Sequence, residues 1–227
     1  MFSLELNQYN NSNFFEQLKQ IGRFKQILRL NVLENIEITK EMFPLLEVLE
    51  IKSSSNVIIS HDGLTELYTN MGNVHVQGKV PKLRRLHAKH AFSFILDGPA
   101  PKLKEITFES CDEVEICPIS PKATLKVINI ENMKFGGKQV CKEVQMINSN
   151  ATELHRCGLR TKCWNFMEHP YSLPVTIKSR IDAESFSEFV GSMNVDHKKE
   201  NSIVHPLKRK YVTIQDEILS PKRIKSF

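Results

Sequence analysis

The sequence predicts a single right-handed solenoid, α/β in class but leaning to β, in which each coil is almost all strand and turn. Three observations carry that expectation. One short apolar phrase recurs six times between Ile27 and Ile130, a second apolar alternation follows most copies, and Gly or Pro stands where each coil must come round.

The phrase reads Ile27-Leu-Arg-Leu30-Asn-Val32, Leu46-Glu-Val-Leu49-Glu-Ile51, Leu64-Thr-Glu-Leu67-Tyr-Thr69, Leu83-Arg-Arg-Leu86-His-Ala88, Leu103-Lys-Glu-Ile106-Thr-Phe108 and Leu125-Lys-Val-Ile128-Asn-Ile130. First positions are 19, 18, 19, 20 and 22 residues apart, a spread that suits stacked repeats of one strand plus a return segment. The fourth and sixth positions point to one side of an extended strand and the third, fifth and seventh to the other, so one side is core and the other is wall. Leu49, Leu67, Leu86, Ile106 and Ile128 are expected to form one buried column. The second alternation, Ile36-x-Ile38, Val57-x-Ile59, Val74-x-Val76, Phe92-x-Phe94 and Val114-x-Ile116, predicts another extended segment closing the same core, because a coil of this length has no room for a full return helix. Turn chemistry falls at Pro44, Gly63, Pro81, Pro99, Pro101, Pro118 and Pro121, and Pro81-Lys-Leu83 repeats almost verbatim as Pro101-Lys-Leu103. An antiparallel β-sandwich with evenly spaced strands is the alternative architecture.

The L-x-x-L-x-L wording resembles the leucine-rich repeat superfamily over roughly half of the chain. It resembles the repeat part of F-box/leucine-rich repeat proteins. That resemblance implies parallel strands on a concave face that holds a protein partner. It also implies service as the receptor half of a larger assembly such as a ubiquitin ligase. The chain departs from the family at the ninth position, where Asn or Cys is usual: Asn35 and Cys111 comply, whereas Ser54, Gly72, Ala91 and Met133 do not. The residues ahead of the repeats are too few for an F-box, and its Leu-Pro opening is missing.

In chain order, residues 1–25 form an N-terminal cap. A loose polar segment to about residue 12 precedes a short helix, with Asn13 and Glu16 at capping-box spacing, Phe14, Phe15, Leu18 and Ile21 on one face, and Gly22 ending it. Residues 26–194 are the solenoid and its C-terminal cap. Gly136-Gly137 breaks the pattern, and Val140, Cys141, Val144 and Ile147 then recur at helical spacing, predicting a helix on one longer coil. A weak seventh phrase, Ala151-Thr-Glu-Leu154-His-Arg-Cys157, follows. Trp164, Phe166, Tyr171, Leu173, Val175 and Ile177 are expected to cover the open end, ahead of an amphipathic stretch with Phe186, Phe189 and Val190. Residues 195–227 are a disordered basic tail.

Composition restricts the function classes. No apolar run is long enough to span a membrane and no signal peptide is legible, so a soluble intracellular protein is expected. Five scattered cysteines fit reduced thiols better than a disulfide framework, and the Asn150 sequon is then not glycosylated. The tail holds eight Lys or Arg against four Asp or Glu, so nearly all of the chain's net +5 lies there and the body is close to neutral. No nucleophile elbow, kinase phrase or paired acid and base appears, and the chain reads as a non-enzyme without cofactor. His155, Cys157, Cys163 and His169 lack the spacing of a structural zinc site, so no metal ligands are assigned. Gly136-Gly137-Lys138 lacks the remaining residues of a phosphate loop and reads as a turn.

Two candidate sites remain. The wall of the strands carries Glu50, Glu66, Tyr68, Arg85, His87, Lys89, Glu105 and Thr107, where a basic step beside Tyr68 would suit an acidic or phosphorylated peptide. In the tail, Lys208-Arg209-Lys210 and Lys222-Arg223-Ile-Lys225 have the separation of a bipartite nuclear-import signal, with Ser220 at a proline-directed phosphorylation phrase beside the second cluster. The expected function is therefore a non-enzymatic protein-interaction module, nuclear with a cytoplasmic pool allowed, and an import receptor as a second partner. The rival is a nuclear nucleic-acid-associated protein acting through the basic tail. Neither the partner nor the oligomeric state is legible.

Overall fold

A computed structural model describes residues 3–8, 12–130, 132–137, 139–149, 159–161, 163–167 and 175–177 of the chain. Among these residues the chain winds as a parallel β-solenoid of two facing sheets, with a separate short parallel pair of β14 (Gln139–Cys141) and β16 (Leu159–Thr161). The first runs through β1 (Ser3–Asn7), β2 (Ile27–Val32), β4 (Val48–Ser53), β6 (Glu66–Asn70), β8 (Arg85–Lys89), β10 (Glu105–Glu109), β12 (Thr124–Ile128), β15 (Glu143–Ile147), β17 (Trp164–Met167) and β18 (Val175–Ile177). The second alternates with it in sequence, through β3 (Ile36–Thr39), β5 (Asn56–Ser60), β7 (Asn73–Val76), β9 (Ser93–Leu96), β11 (Glu113–Ile116) and β13 (Asn132–Phe135). Strands within each sheet are parallel, except that β18 runs antiparallel to β17 at the edge of the first. The expected closing segments are thus real strands, and the sandwich alternative fails because successive strands of each sheet, β18 excepted, run the same way.

Alternation explains the core. Leu28, Leu49, Leu67, Leu86, Ile106, Leu125 and Val144 stand in register on neighbouring strands of the first sheet, and all are buried. Val57, Val74, Phe94 and Val114 form the facing column of the second sheet. Across the gap Phe94 meets Phe108 edge to face, with ring centroids 5.3 Å apart. Four of the five residues expected in the buried column are in it, and Ile128 is not. Ile128 pairs with Glu109 on the outer side, while Leu125 and Val127 take the two inward places. The sixth phrase is offset by three residues, because Ala123, not Leu125, follows its proline turn and Leu125 takes the column place held by the fourth residue of the other copies. The first phrase is offset by two residues, since Leu28 rather than Leu30, its fourth residue, is in the column.

One corner of each coil is a reverse turn closed by a backbone hydrogen bond, Leu83 to Val80, Leu103 to Ala100 and Ala123 to Ser120, with Pro81, Pro101 and Pro121 second in the turn. Proline's fixed φ suits that place and its missing N–H is not needed there. In the coil of β5 the corner is His61-Asp62-Gly63-Leu64, and His61 takes the place that Phe43, Val80 and Ala100 hold in other turns. It is 2 % exposed, its Nε2–H donates to the Phe43 carbonyl at 2.8 Å, and its Nδ1 accepts from the Gly63 N–H at 3.2 Å. Burial pushes its pKa down, and the ring must be neutral to make both bonds.

At the opposite corner Met71, His90, Ser110, Asn129 and Asn148 recur at one position of successive coils, each with positive φ between 45° and 67°. Their N–H groups continue the ladder to the next coil, as Asn129 does to the Ile147 carbonyl. Asn148 donates to Asn129 Oδ1 at 2.9 Å, and Asn129 to Ser110 Oγ at 3.4 Å, stacking side chains outside the bend. Gly98 shows how close the coils approach, because a Cβ there would lie 1.8 Å from the Gly78 carbonyl oxygen. Buried Cys111 packs beside Ser110, and Cys141, also buried, has its thiol pushed up to about 12 by desolvation; both serve as small apolar groups.

Several expectations are corrected. Within the polar start Ser3–Asn7 is not loose: Leu4 and Leu6 alternate with polar residues, and β1 adds to β2 in parallel. A helix does form over Phe14–Ile21 and buries Phe14 and Leu18, but the Asn13 side chain makes no capping bond. Residues expected to form a return helix are β14 (Gln139–Cys141) and β15, because Val144 and Met146 keep the two-residue period of the core strands. Phe92, read as inward, is exposed, and Phe94 with Leu96 forms the inward pair. The seventh phrase, Tyr171, Leu173, the stretch from Asp182 and the tail lie outside the described residues.

Candidate binding face

The outer side of the first sheet consists of three rows that run across the strands. The row nearest the proline turns is Val48, Glu66, Arg85, Glu105 and Thr124. The middle row is Arg29, Glu50, Tyr68, His87, Thr107 and Lys126, and the third is Asn31, Lys52, Asn70, Lys89, Glu109 and Ile128. All eight wall residues singled out from the sequence lie on this face, on four adjacent strands. Val127 and Asn129, read as outward continuations of the wall, do not belong to it: Val127 is buried and Asn129 is in the corner.

Adjacent strands stand about 4.8 Å apart, so unlike charges facing each other across the ladder pair directly. Arg85 bridges two strands, its Nη1 donating to Glu66 Oε1 at 3.2 Å and its Nε to Glu105 Oε2 at 3.1 Å. Both carboxylates push its pKa up. Tyr68 donates its hydroxyl to Glu66 Oε2 at 2.7 Å; burial first, then that bond, raises the phenol's pKa. Arg29 Nε reaches Glu50 Oε2 at 2.9 Å. Lys89 Nζ meets Glu109 Oε1 at 2.7 Å, and that bond is the main cause of Glu109's lowered pKa. The basic step is therefore already neutralised on its own face. Exposed pairs of this kind contribute at most about 1 kcal/mol each, so their main effect is to fix side-chain positions.

Glu50, Tyr68, His87 and Lys89 line a groove of about 390 Å³, with Asn70 and Lys52 beside them. Glu66, Arg85, Glu105 and Thr107 stand outside it. His87 meets Tyr68 edge to face at 6.4 Å, and burial lowers its pKa against the opposing pull of Glu109. Its Nε2 is buried without a hydrogen-bond partner, since Glu109 at 3.9 Å is out of range, and Asn70 Oδ1 beside it is in the same position. Both residues line the groove, and a neutral imidazole nitrogen and an accepting amide oxygen are left there with unused hydrogen-bonding capacity. Sequence reasoning missed the other end of the groove, Glu5 and Asn7 of β1, although the alternation from Ser3 to Asn7 was its signal.

Comparison with family models, with curated proteins and with solved structures returned no match to this chain. Fold and face together define a repeat protein of the parallel β-solenoid class with a polar, groove-bearing strand face. Among the described residues no helix is long and apolar enough to cross a membrane, and no cluster of His, Cys, Asp or Glu could hold a metal ion. Of the residues weighed for zinc, only Cys163 is described.

Proposed function

We propose that the protein is a non-enzymatic interaction module whose first-sheet face holds a segment of a protein partner. The observation that carries this reading is the groove, where His87 Nε2 and Asn70 Oδ1 are withdrawn from solvent with no partner of their own. A buried polar atom left unmade costs about 1–3 kcal/mol, which a bound peptide group would recover. Because Arg85 and Lys89 are already paired, the occupant suited to the face is a segment of mixed polarity rather than an acidic peptide. The leucine-rich repeat wording, the dominance of right-handed crossovers between parallel strands, and a capping role for the Phe14–Ile21 helix belong to the same proposal. So does receptor service in a ubiquitin-ligase-like assembly, with the tail directing the module to the nucleus.

Affinity capture with the full chain tests the reading. Tyr68→Ala combined with His87→Ala removes the groove's aromatic pair from the solvent side and leaves the core intact. A protein retained by the wild type and lost from this variant, at unchanged thermal stability, supports the groove. Identical retention by both moves the site elsewhere, and loss only when the tail cations are neutralised favours the rival in which the tail binds nucleic acid.

A further inference from the structure

Arg29, Arg85 and Lys89 on the strand face are engaged by carboxylates, whereas a second set of cations along one edge is not. The proline turns place Lys82, Lys102 and Lys122 at one position of three successive coils, and Arg84 and Lys104 two residues further on. Lys79 precedes the first turn. All six are exposed, and none takes part in an ion pair among the described residues. The stretches 79–84, 98–104 and 117–124 contain no Asp or Glu. The carboxylates that flank them are occupied, Glu105 by Arg85 and Asp97 by His75. On the side of the preceding coils the patch ends, with Gly63 and Leu45 where the lysines would be.

We infer that this edge docks the phosphate backbone of a nucleic-acid duplex without reading its sequence. The turns are pinned by Pro81, Pro101 and Pro121 and by backbone bonds of 3.0–3.2 Å, so the lysines spring from a rigid ladder with about 4.8 Å between rungs. Across three coils that ladder spans about 10 Å, and a duplex carries one phosphate per about 1.7 Å of its axis, enough to meet every rung. Lysine supplies point charges rather than the bidentate forks that fix a phosphorylated or acidic side chain, and five of the six cations are lysine. The three stretches hold no aromatic residue, so unstacked bases would find no platform and a single strand is the poorer ligand. The coil backbones are spent on one another, which denies a peptide strand any ladder to join.

Titration of the full chain against a short fluorescent DNA duplex of arbitrary sequence, at several salt concentrations, tests the inference. The triple variant Lys82→Gln, Lys102→Gln, Lys122→Gln is expected to bind roughly tenfold or more weakly at low salt, with the slope of log K against log salt reduced by about 3. Neutralising the six tail cations at 208–210, 222, 223 and 225 is expected to weaken binding further yet leave that edge-dependent loss in place. Equal affinity and slope for wild type and triple variant overturn the proposal, as does a duplex bound only through the tail. Displacement of the duplex by polyglutamate at equal charge concentration assigns the edge to acidic protein and overturns it too. Single variants Lys82→Gln and Lys122→Gln, each lowering the slope by about 1, keep the test decisive if the triple variant folds poorly.

Discussion

Leu125 and Ile128 sit three residues apart in one phrase, and exchanging each for Ala distinguishes the register of the fold from the register of the wording. Leu125 is 0 % exposed, held between Ile106 and Val144 on the neighbouring strands, whereas Ile128 is half-buried on the outer face next to Glu109. Leu125→Ala removes three carbons, about 2.4 kcal/mol of transfer free energy at about 0.8 kcal/mol each. The parallel ladders on either side hinder collapse into the void, so a cavity term brings the cost to roughly 3–4 kcal/mol. Ile128→Ala opens no cavity and is expected to cost about 1 kcal/mol or less. Equilibrium urea unfolding followed by far-ultraviolet circular dichroism, with m unchanged, measures both. A cost for Ile128→Ala equal to or above that for Leu125→Ala would refute the register. Since each coil leans only on its neighbours, hydrogen exchange in Leu125→Ala should rise first in β10, β12 and β15.

Three further outcomes are expected. His61's folded pKa lies below its ordinary value, so protonation favours the unfolded chain: its contribution is complete above about pH 6.5 and is lost as pH falls from there, and the wild-type urea midpoint should drop more steeply below pH 6.5 than that of His61→Gln. A parallel pH dependence in both proteins would show that His61 is not the group responsible. Asn129→Val places a β-branched residue at φ 51° and removes the bond from Asn148, for an expected loss of about 1–2 kcal/mol in thermal or urea unfolding; no loss would mean that the corner tolerates any side chain. Residues 200–227 fused to a cytoplasmic reporter should carry it into the nucleus, less efficiently with Ser220→Asp; a reporter that stays outside rejects the import signal, and equal entry by Ser220→Asp and Ser220→Ala rejects the switch.

The sequence by itself determined that the chain is a stack of short coils with a strand on each side of the core. The alternations Leu49-x-Ile51 and Val57-x-Ile59 leave a two-residue period no other choice, and Pro81-Lys-Leu83 with Pro101-Lys-Leu103 announces the corner between them. It also determined the wall, because residues between two inward positions must point outward, as Glu50, Tyr68, His87 and Thr107 do. Only the tertiary structure decided the phase of the first and last phrases. Leu125, Val127 and Ile128 are all apolar, and a three-residue slip costs nothing until Phe94 and Phe108 fill the space between the sheets. It alone decided that residues 139–147 are strands, since Val140, Cys141, Val144 and Ile147 satisfy a helical period until the ladder of β12 offers partners. It alone decided which cations are free. A charge's neighbours across a parallel ladder lie about 20 residues away in sequence, so Arg85 looked available and is held by Glu66 and Glu105, while Lys82, Lys102 and Lys122 looked like turn residues and stand together unopposed.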